Sequence, residues 1–241
     1  MGRRPIPGPA RAAQPAAAPA GASPPGVAPA AAGLRPFVLL GCLVGFLLFA
    51  PFMPTSLIGQ VILQLMVTTL ILASAALRRS RWQVLLVATL TALWVAASWS
   101  AVLFRPPPWV EIAAHGLLIA LLALALLATL RPVFGASRVE AATIAGAVSG
   151  YLLIALTWAA VYQEMAAFDP GAFSDGLTSR SWIEATYFSL VTITTVGFGD
   201  IVARSPVARI WSGLEAVTGN LYMAVLIARL VSEWRNERHS R

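Results

Sequence analysis

The chain has 241 residues, of which 58% are hydrophobic and 11% charged, and its mean hydropathy is +0.76. A soluble domain carries about 25% charged residues, so this composition excludes an ordinary soluble protein and fits a chain that lies in a lipid bilayer. The net charge of +7 does not point to nucleic acid, because the arginines are scattered between long apolar runs, as membrane topology requires.

Residues 1–35 are rich in Ala, Pro and Gly, carry Arg3, Arg4, Arg11 and Arg35, and show no periodicity. They are expected to form a disordered, cytoplasmic tail. A cleaved leader is a poor alternative, since the apolar sequence begins only near Phe37 and is followed at once by further spans. The lone Cys42 excludes an intrachain disulfide and a cysteine-based metal site within one chain.

A helix needs about 20 apolar residues to cross roughly 30 Å of hydrocarbon. Stretches of that kind run from Pro36 to Met53, Leu57 to Leu77, Trp82 to Phe104, Val110 to Leu130, Val139 to Tyr162 and Pro206 to Val231. With the N-terminus inside, twelve arginines fall on the cytoplasmic side, among them Arg78, Arg79, Arg81, Arg131, Arg138 and Arg235, while Arg105, Arg180 and Arg204 fall outside. That bias predicts both termini in the cytoplasm. Trp82, Trp109, Trp182 and Trp234 then lie near the boundaries, where amphipathic rings are favoured.

The stretch from Gln163 to Ser205 does not read as a simple crossing. Its first half, with Asp169, Pro170, Gly171, Asp175 and Gly176, is polar and turn-rich. Ser181-Trp182-Ile183-Glu184 fits a capping box. The helix it opens has an apolar body of only about 12 residues, Trp182 to about Ile193, too short to span and suited to a re-entrant half-helix.

Thr194-Thr195-Val196-Gly197-Phe198-Gly199-Asp200 follows. A row of backbone carbonyls on one side can replace the water shell of a cation. Gly197 and Gly199 can take positive φ without a Cβ clash, Thr195 adds a hydroxyl oxygen, and Val196 and Phe198 are expected to point away and pack behind the loop. The half-helix is expected to end with its free carbonyls aimed inward, favouring a cation. One chain supplies one such loop, so a ring requires further copies.

The run TTVGFGD resembles the signature of the potassium channel superfamily, and the resemblance covers about Val139 to Val231. It implies an all-α integral membrane protein, with six transmembrane helices and a re-entrant pore helix and selectivity-filter loop between the last two. Three identical subunits and the bilayer would be its partners, with no nucleic acid and no cofactor beyond the transported K+. By matched position, the resemblance makes Thr195, Val196, Gly197 and Phe198 carbonyl ligands of K+, puts Gly199 and Asp200 at the outer mouth beside Thr194 and Glu184, and makes Gly219 a gating hinge. Phe198 stands where Tyr is commoner, and Tyr187 and Phe188 where many members carry a tryptophan pair. The rival readings are a potassium-uptake transporter subunit, a non-selective cation channel, and a non-conducting regulatory subunit.

Other residues carry weaker signals. Glu215, two turns into the last helix, is expected to hydrogen-bond behind the filter or to the pore helix, with a cavity-facing role as the alternative. Asn220, Met223 and Ile227 recur at a spacing that could line an inner cavity. Glu111 and His115, one turn apart, read as an interfacial pair. A voltage sensor would carry arginine at every third position, and Val110 to Leu130 has none, so residues 36–130 form a four-helix region without that device, ahead of a pore domain at 139–231. Residues 232–241 read as a short cytoplasmic tail with no room for a gating domain. The lack of an outer-loop glycosylation sequon fits a bacterial inner membrane.

Overall fold

The computed structural model describes residue 2 and residues 29–53, 56–75, 80–104, 107–136, 139–174, 177–178 and 182–239. Along them run α1 (Pro29–Phe49), α2 (Leu57–Ala75), α3 (Arg81–Phe104), α4 (Pro108–Gly135), α5 (Ala141–Phe168), α6 (Trp182–Ile193) and α7 (Pro206–His239). Helix α1 with the 3-10 turn that follows it at Ala50–Phe52, and α2, α3, α4, α5 and α7, contain stretches of 19 to 28 residues long and apolar enough to cross a membrane.

Local chemistry sets the helix ends. Pro107 precedes α4, with Pro108 in its first turn, where a missing amide costs nothing. Ser205 accepts a bond from Ala208 N at 3.1 Å and caps α7. Glu140 and Thr143 form a capping box at the start of α5.

Several boundaries differ from expectation, and α4 and α5 run on to Gly135 and Phe168, past the expected ends at Leu130 and Tyr162. Helix α1 begins at Pro29 rather than Pro36, because Ala30 to Ala32 are strong helix formers and a proline is tolerated in a first turn. Residues 29–35 therefore leave the tail expected to be disordered, and residues 3–28 lie outside the described residues. Helix α7 continues to His239, through most of the tail expected at 232–241, since no glycine or proline interrupts residues 220–239.

Helix α5 is the centre of the molecule. It packs on α1, α4, α6 and α7, and 61% of its membrane-length window is buried, against 17 to 33% for the others. Lipid tails are as apolar as leucine, so helices in a membrane associate through close packing of small residues. The buried face of α5 is built that way, with Ala145, Ala147, Ser149, Ala155, Ala159 and Ala160 among its members. Leu39, Phe46, Leu70, Ile71, Leu121, Leu122, Leu153 and Leu156 join α1, α2, α4 and α5 in one apolar cluster.

Polar contacts tie α4 to α5 and to α7. His115 Nδ1 lies 2.9 Å from Glu164 Oε2, so the partner of this histidine is on α5, 49 residues away, rather than Glu111 one turn before it. Arg229 of α7 donates to the Ala136 carbonyl and stands 5.8 Å from the centre of the Phe134 ring.

Overpacking a dense face costs about 1–3 kcal/mol. Ala159→Leu, at a position with no exposed surface, is therefore expected to lower the thermal unfolding midpoint in detergent, as measured by differential scanning fluorimetry.

Candidate functional site

The short helix α6 begins at Trp182 and ends at Ile193, the bounds its apolar body predicts. Ser181 of the expected capping box lies outside the described residues, and Glu184 sits half-buried in the first turn, where a carboxylate suits the helix dipole.

At its other end the chain folds back on α6. Thr195 N donates to Thr192 O at 2.9 Å and Val196 N to Val191 O at 3.1 Å, the paired bonds of a Schellman closure. That closure puts one residue in the left-handed region, usually glycine, and here the residue is Thr195, at φ 60°. A β-branched residue held there costs of order 1–3 kcal/mol and persists only where its surroundings fix it.

Gly197 and Gly199 also have positive φ, 57° and 80°, while Val196 and Phe198 do not. The sign of φ therefore alternates from Thr195 to Gly199. In a strand, with φ negative throughout, successive residues face opposite sides. Reversing the hand at every second residue removes that alternation, and a row of carbonyls facing one way requires this.

The last carbonyls of α6 are not free, contrary to expectation. Val191 O accepts from Val196 N and Gly197 N, Thr192 O from Thr195 N, and Ile193 O from the Tyr151 hydroxyl of α5 at 3.2 Å. Gly219 of α7 lies against the same turn. A Cβ built on it would stand 2.5 Å from Ile193 Cγ1 and 2.6 Å from Ile193 O, so this glycine has a steric reason that is independent of any hinge.

Behind α6 lies Glu215, fully buried. The Tyr162 hydroxyl of α5 donates to Glu215 Oε2 at 2.5 Å. Ser189 Oγ of α6, which is 2.7 Å from the Ala155 carbonyl, hydrogen-bonds Glu215 Oε1. One carboxyl thus joins α5, α6 and α7. Rings pack around its partner Tyr162, which is centred 5.0 Å from Phe188, 5.5 Å from Phe173 and 5.9 Å from Trp158.

Tyr187 holds the far side of the loop. Its hydroxyl donates to Asp200 Oδ2 at 2.7 Å, and its ring lies parallel to that of Phe198, with centroids 6.5 Å apart. The bond from Tyr187 holds the Asp200 carboxyl below its ordinary value. Beyond Asp200 the chain pairs with the α5–α6 connection: Ser174 N donates to Val202 O at 2.9 Å, Arg204 N to Ala172 O at 2.7 Å, and Phe173 and Ala203 form an antiparallel bridge.

The sequence-predicted residues fall into three places. Thr194 to Asp200 form the exposed loop. Glu215 and Gly219 are buried against α6. Asn220, Met223 and Ile227 are exposed on α7. Val196 and Phe198 are not packed away among the described residues, being 56% and 71% exposed, although the Tyr187 ring stacks on Phe198. Tyr151, Tyr162, Ser189 and the Tyr187 bond went unanticipated. Their one sequence signal is polar side chains inside apolar helices, which must find partners there.

Residues 150–235 match the family described as "Ion channel". Over 84 residues the chain is 32% identical to Two-pore potassium channel 4 of Arabidopsis thaliana, covering 34% of this chain and 30% of that protein. The chain thus aligns with less than a third of the length of this relative. No solved structure matches. The family match begins inside α5 and takes in α6, the loop and most of α7, the elements that build the site.

Leaving a buried polar group unpaired costs about 1–3 kcal/mol. Tyr162→Phe is therefore expected to lower stability by about that much, and Glu215→Gln, which can still bond Tyr162 and Ser189, by less, as read from thermal unfolding midpoints. Gly219→Ala must displace Ile193 or α7 and is expected to destabilise by about 1–3 kcal/mol. The folded pKa of Asp200 is depressed, so its bond contributes above the ordinary carboxylate value and is lost as pH falls through the depressed one. Tyr187→Phe should move the Asp200 titration, followed by NMR, to higher pH.

Proposed function

We propose that this chain, which belongs to the potassium channel superfamily through the ion channel domain at residues 150–235, is one subunit of a potassium-selective homotetramer that conducts K+ passively. The observation that carries this reading is the alternating sign of φ from Thr195 to Gly199 at the foot of a 12-residue helix.

In this reading α6 is a re-entrant pore helix. Its 12 residues extend about 18 Å at 1.5 Å each, short of the roughly 30 Å needed to cross. The carbonyls of Thr195, Val196, Gly197 and Phe198 replace the hydration shell of K+, with Gly199 and Asp200 at the outer mouth. The ion moves down its electrochemical gradient, and no bond is made or broken.

Non-helical backbone survives at membrane depth only inside protein or along a wet cavity. Four loops around an axis supply both, and cyclic symmetry closes the ring. Support comes from what one chain leaves bare: Val196 and Phe198 in the loop, and Ile210, Leu214, Val217 and Leu221 on α7, each more than half exposed. Asn220, Met223 and Ile227 line the inner cavity in this arrangement, and α1 to α4 form a separate peripheral region. In this reading both termini are cytoplasmic, which the arginine distribution supports, and an inner membrane is the proposed location.

Rubidium uptake into liposomes holding the full chain tests the proposal. The expected result is uptake that external K+ competes with and Na+ does not. Gly197→Val, which puts a β-branched residue at φ 57°, should abolish uptake by a protein that still elutes at the mass of a tetramer. Equal competition by Na+, or full uptake by a monomer, would overturn it.

A further inference from the structure

A set of ligand atoms must be held within about 0.5 Å of its working geometry by the groups behind it. A row of carbonyls therefore needs a support at each end. Upstream, the amides of Thr195, Val196 and Gly197 bond back into the last turn of α6. Downstream, the chain leaves the loop through Asp200 and meets the connection between α5 and α6 at Ser174.

Ser174 touches that stretch three times. Its amide donates to the Val202 carbonyl at 2.9 Å, and its hydroxyl oxygen accepts from the Val202 amide, also at 2.9 Å. One serine thus holds both backbone groups of one residue. The hydroxyl proton, which that bond does not use, is directed at the Asp200 carbonyl 3.4 Å away, a longer and weaker contact. Asp200 is held twice as a result, through its carboxylate by Tyr187 and through its carbonyl by Ser174.

The neighbours of Ser174 fix it in turn. The Ala172 carbonyl accepts from the Arg204 and Ser205 amides at 2.7 and 3.2 Å. Phe173 is buried, bridges to Ala203, and sets its ring 5.5 Å from that of Tyr162 and 5.3 Å from that of Phe188. Tyr162 is the residue that bonds Glu215. An unbroken series of contacts therefore runs from the buried carboxyl, through Tyr162 and Phe173, to Ser174 and the downstream end of the loop.

The hydroxyl of Ser174 does more for position than for stability. Val202 is 43% exposed, so a water can take the place of the Ser174 oxygen on its amide, and a bridging water is nearly as good a partner in enthalpy. What such a water does not supply is a fixed location.

We propose that Ser174 is a positioning residue for ion selection. By holding Val202 and Asp200 it keeps the Phe198–Gly199 end of the carbonyl row at the spacing that separates K+ from Na+. This role rests on the function proposed above, whereas the hydrogen bonds that carry it do not.

Two measurements on the full chain in lipid test it. Hydrogen exchange at the Val202 amide, read by NMR in nanodiscs, is expected to be severalfold faster in Ser174→Ala and to return to the slower rate in Ser174→Thr, which keeps the hydroxyl. In rubidium uptake by liposomes, Na+ is expected to compete in Ser174→Ala but not in Ser174→Thr or the unsubstituted chain, with the elution profile unchanged. Unaltered Val202 exchange in Ser174→Ala, or uptake by that variant that stays insensitive to Na+, would overturn the inference. So would Na+ competition that appears equally in both variants, because the hydroxyl would not then be its cause. Na+ competition in the unsubstituted chain would contradict the function proposed above and remove this role with it, whatever the exchange rates.

Discussion

The buried carboxyl of Glu215 is the constraint from which the geometry of the site follows. A carboxyl inside a membrane-length helix must find hydrogen-bond partners, because neither lipid nor an apolar core supplies them. Its two oxygens take Tyr162 from α5 and Ser189 from α6, so three helices are fixed at one point. With α6 held there, its last turn can be closed from below by the Tyr151 hydroxyl and by the bare backbone of Gly219, each reaching Ile193. Surroundings as rigid as these allow Thr195 to remain in a conformation that costs a β-branched residue energy.

The loop is held from both sides. Below, its amides bond back into α6; beyond it, Tyr187 binds Asp200 and stacks on Phe198, and the chain after Asp200 pairs with the α5–α6 connection. Residues 195 to 199 lie between these anchors, with side chains largely uncovered and the sign of φ reversing at each step. A single chain therefore prepares the backbone but does not enclose it. The same incompleteness shows in α7, whose membrane-length window is 17% buried while that of α5 is 61% buried.

Local features of this architecture were legible in the sequence. The apolar body from Trp182 to Ile193 marks a helix too short to span, and the helix has those bounds. Glycines two apart mark positive φ, and Gly197 and Gly199 have it. Long-range pairings were not legible. Tyr162 and Glu215 are 53 residues apart, and Tyr151 and the Ile193 carbonyl 42, separations over which no periodicity carries information. His115 was paired with Glu111 because helical spacing makes them neighbours, whereas packing of α4 on α5 gave it Glu164. The carbonyls of α6 were expected to be free because the Schellman closure depends on a threonine taking the place of glycine, which residue type argues against.

Ion selection by carbonyls spaced for one cation is the central claim, and the reversal potential of the full chain in a planar bilayer, with K+ on one side and Na+ on the other, tests it most directly. A reversal potential far from zero, toward the potassium equilibrium value, is the result the account predicts. Current that reverses near zero would show that the alternating backbone of Thr195 to Gly199 does not distinguish the two ions, and would contradict the account.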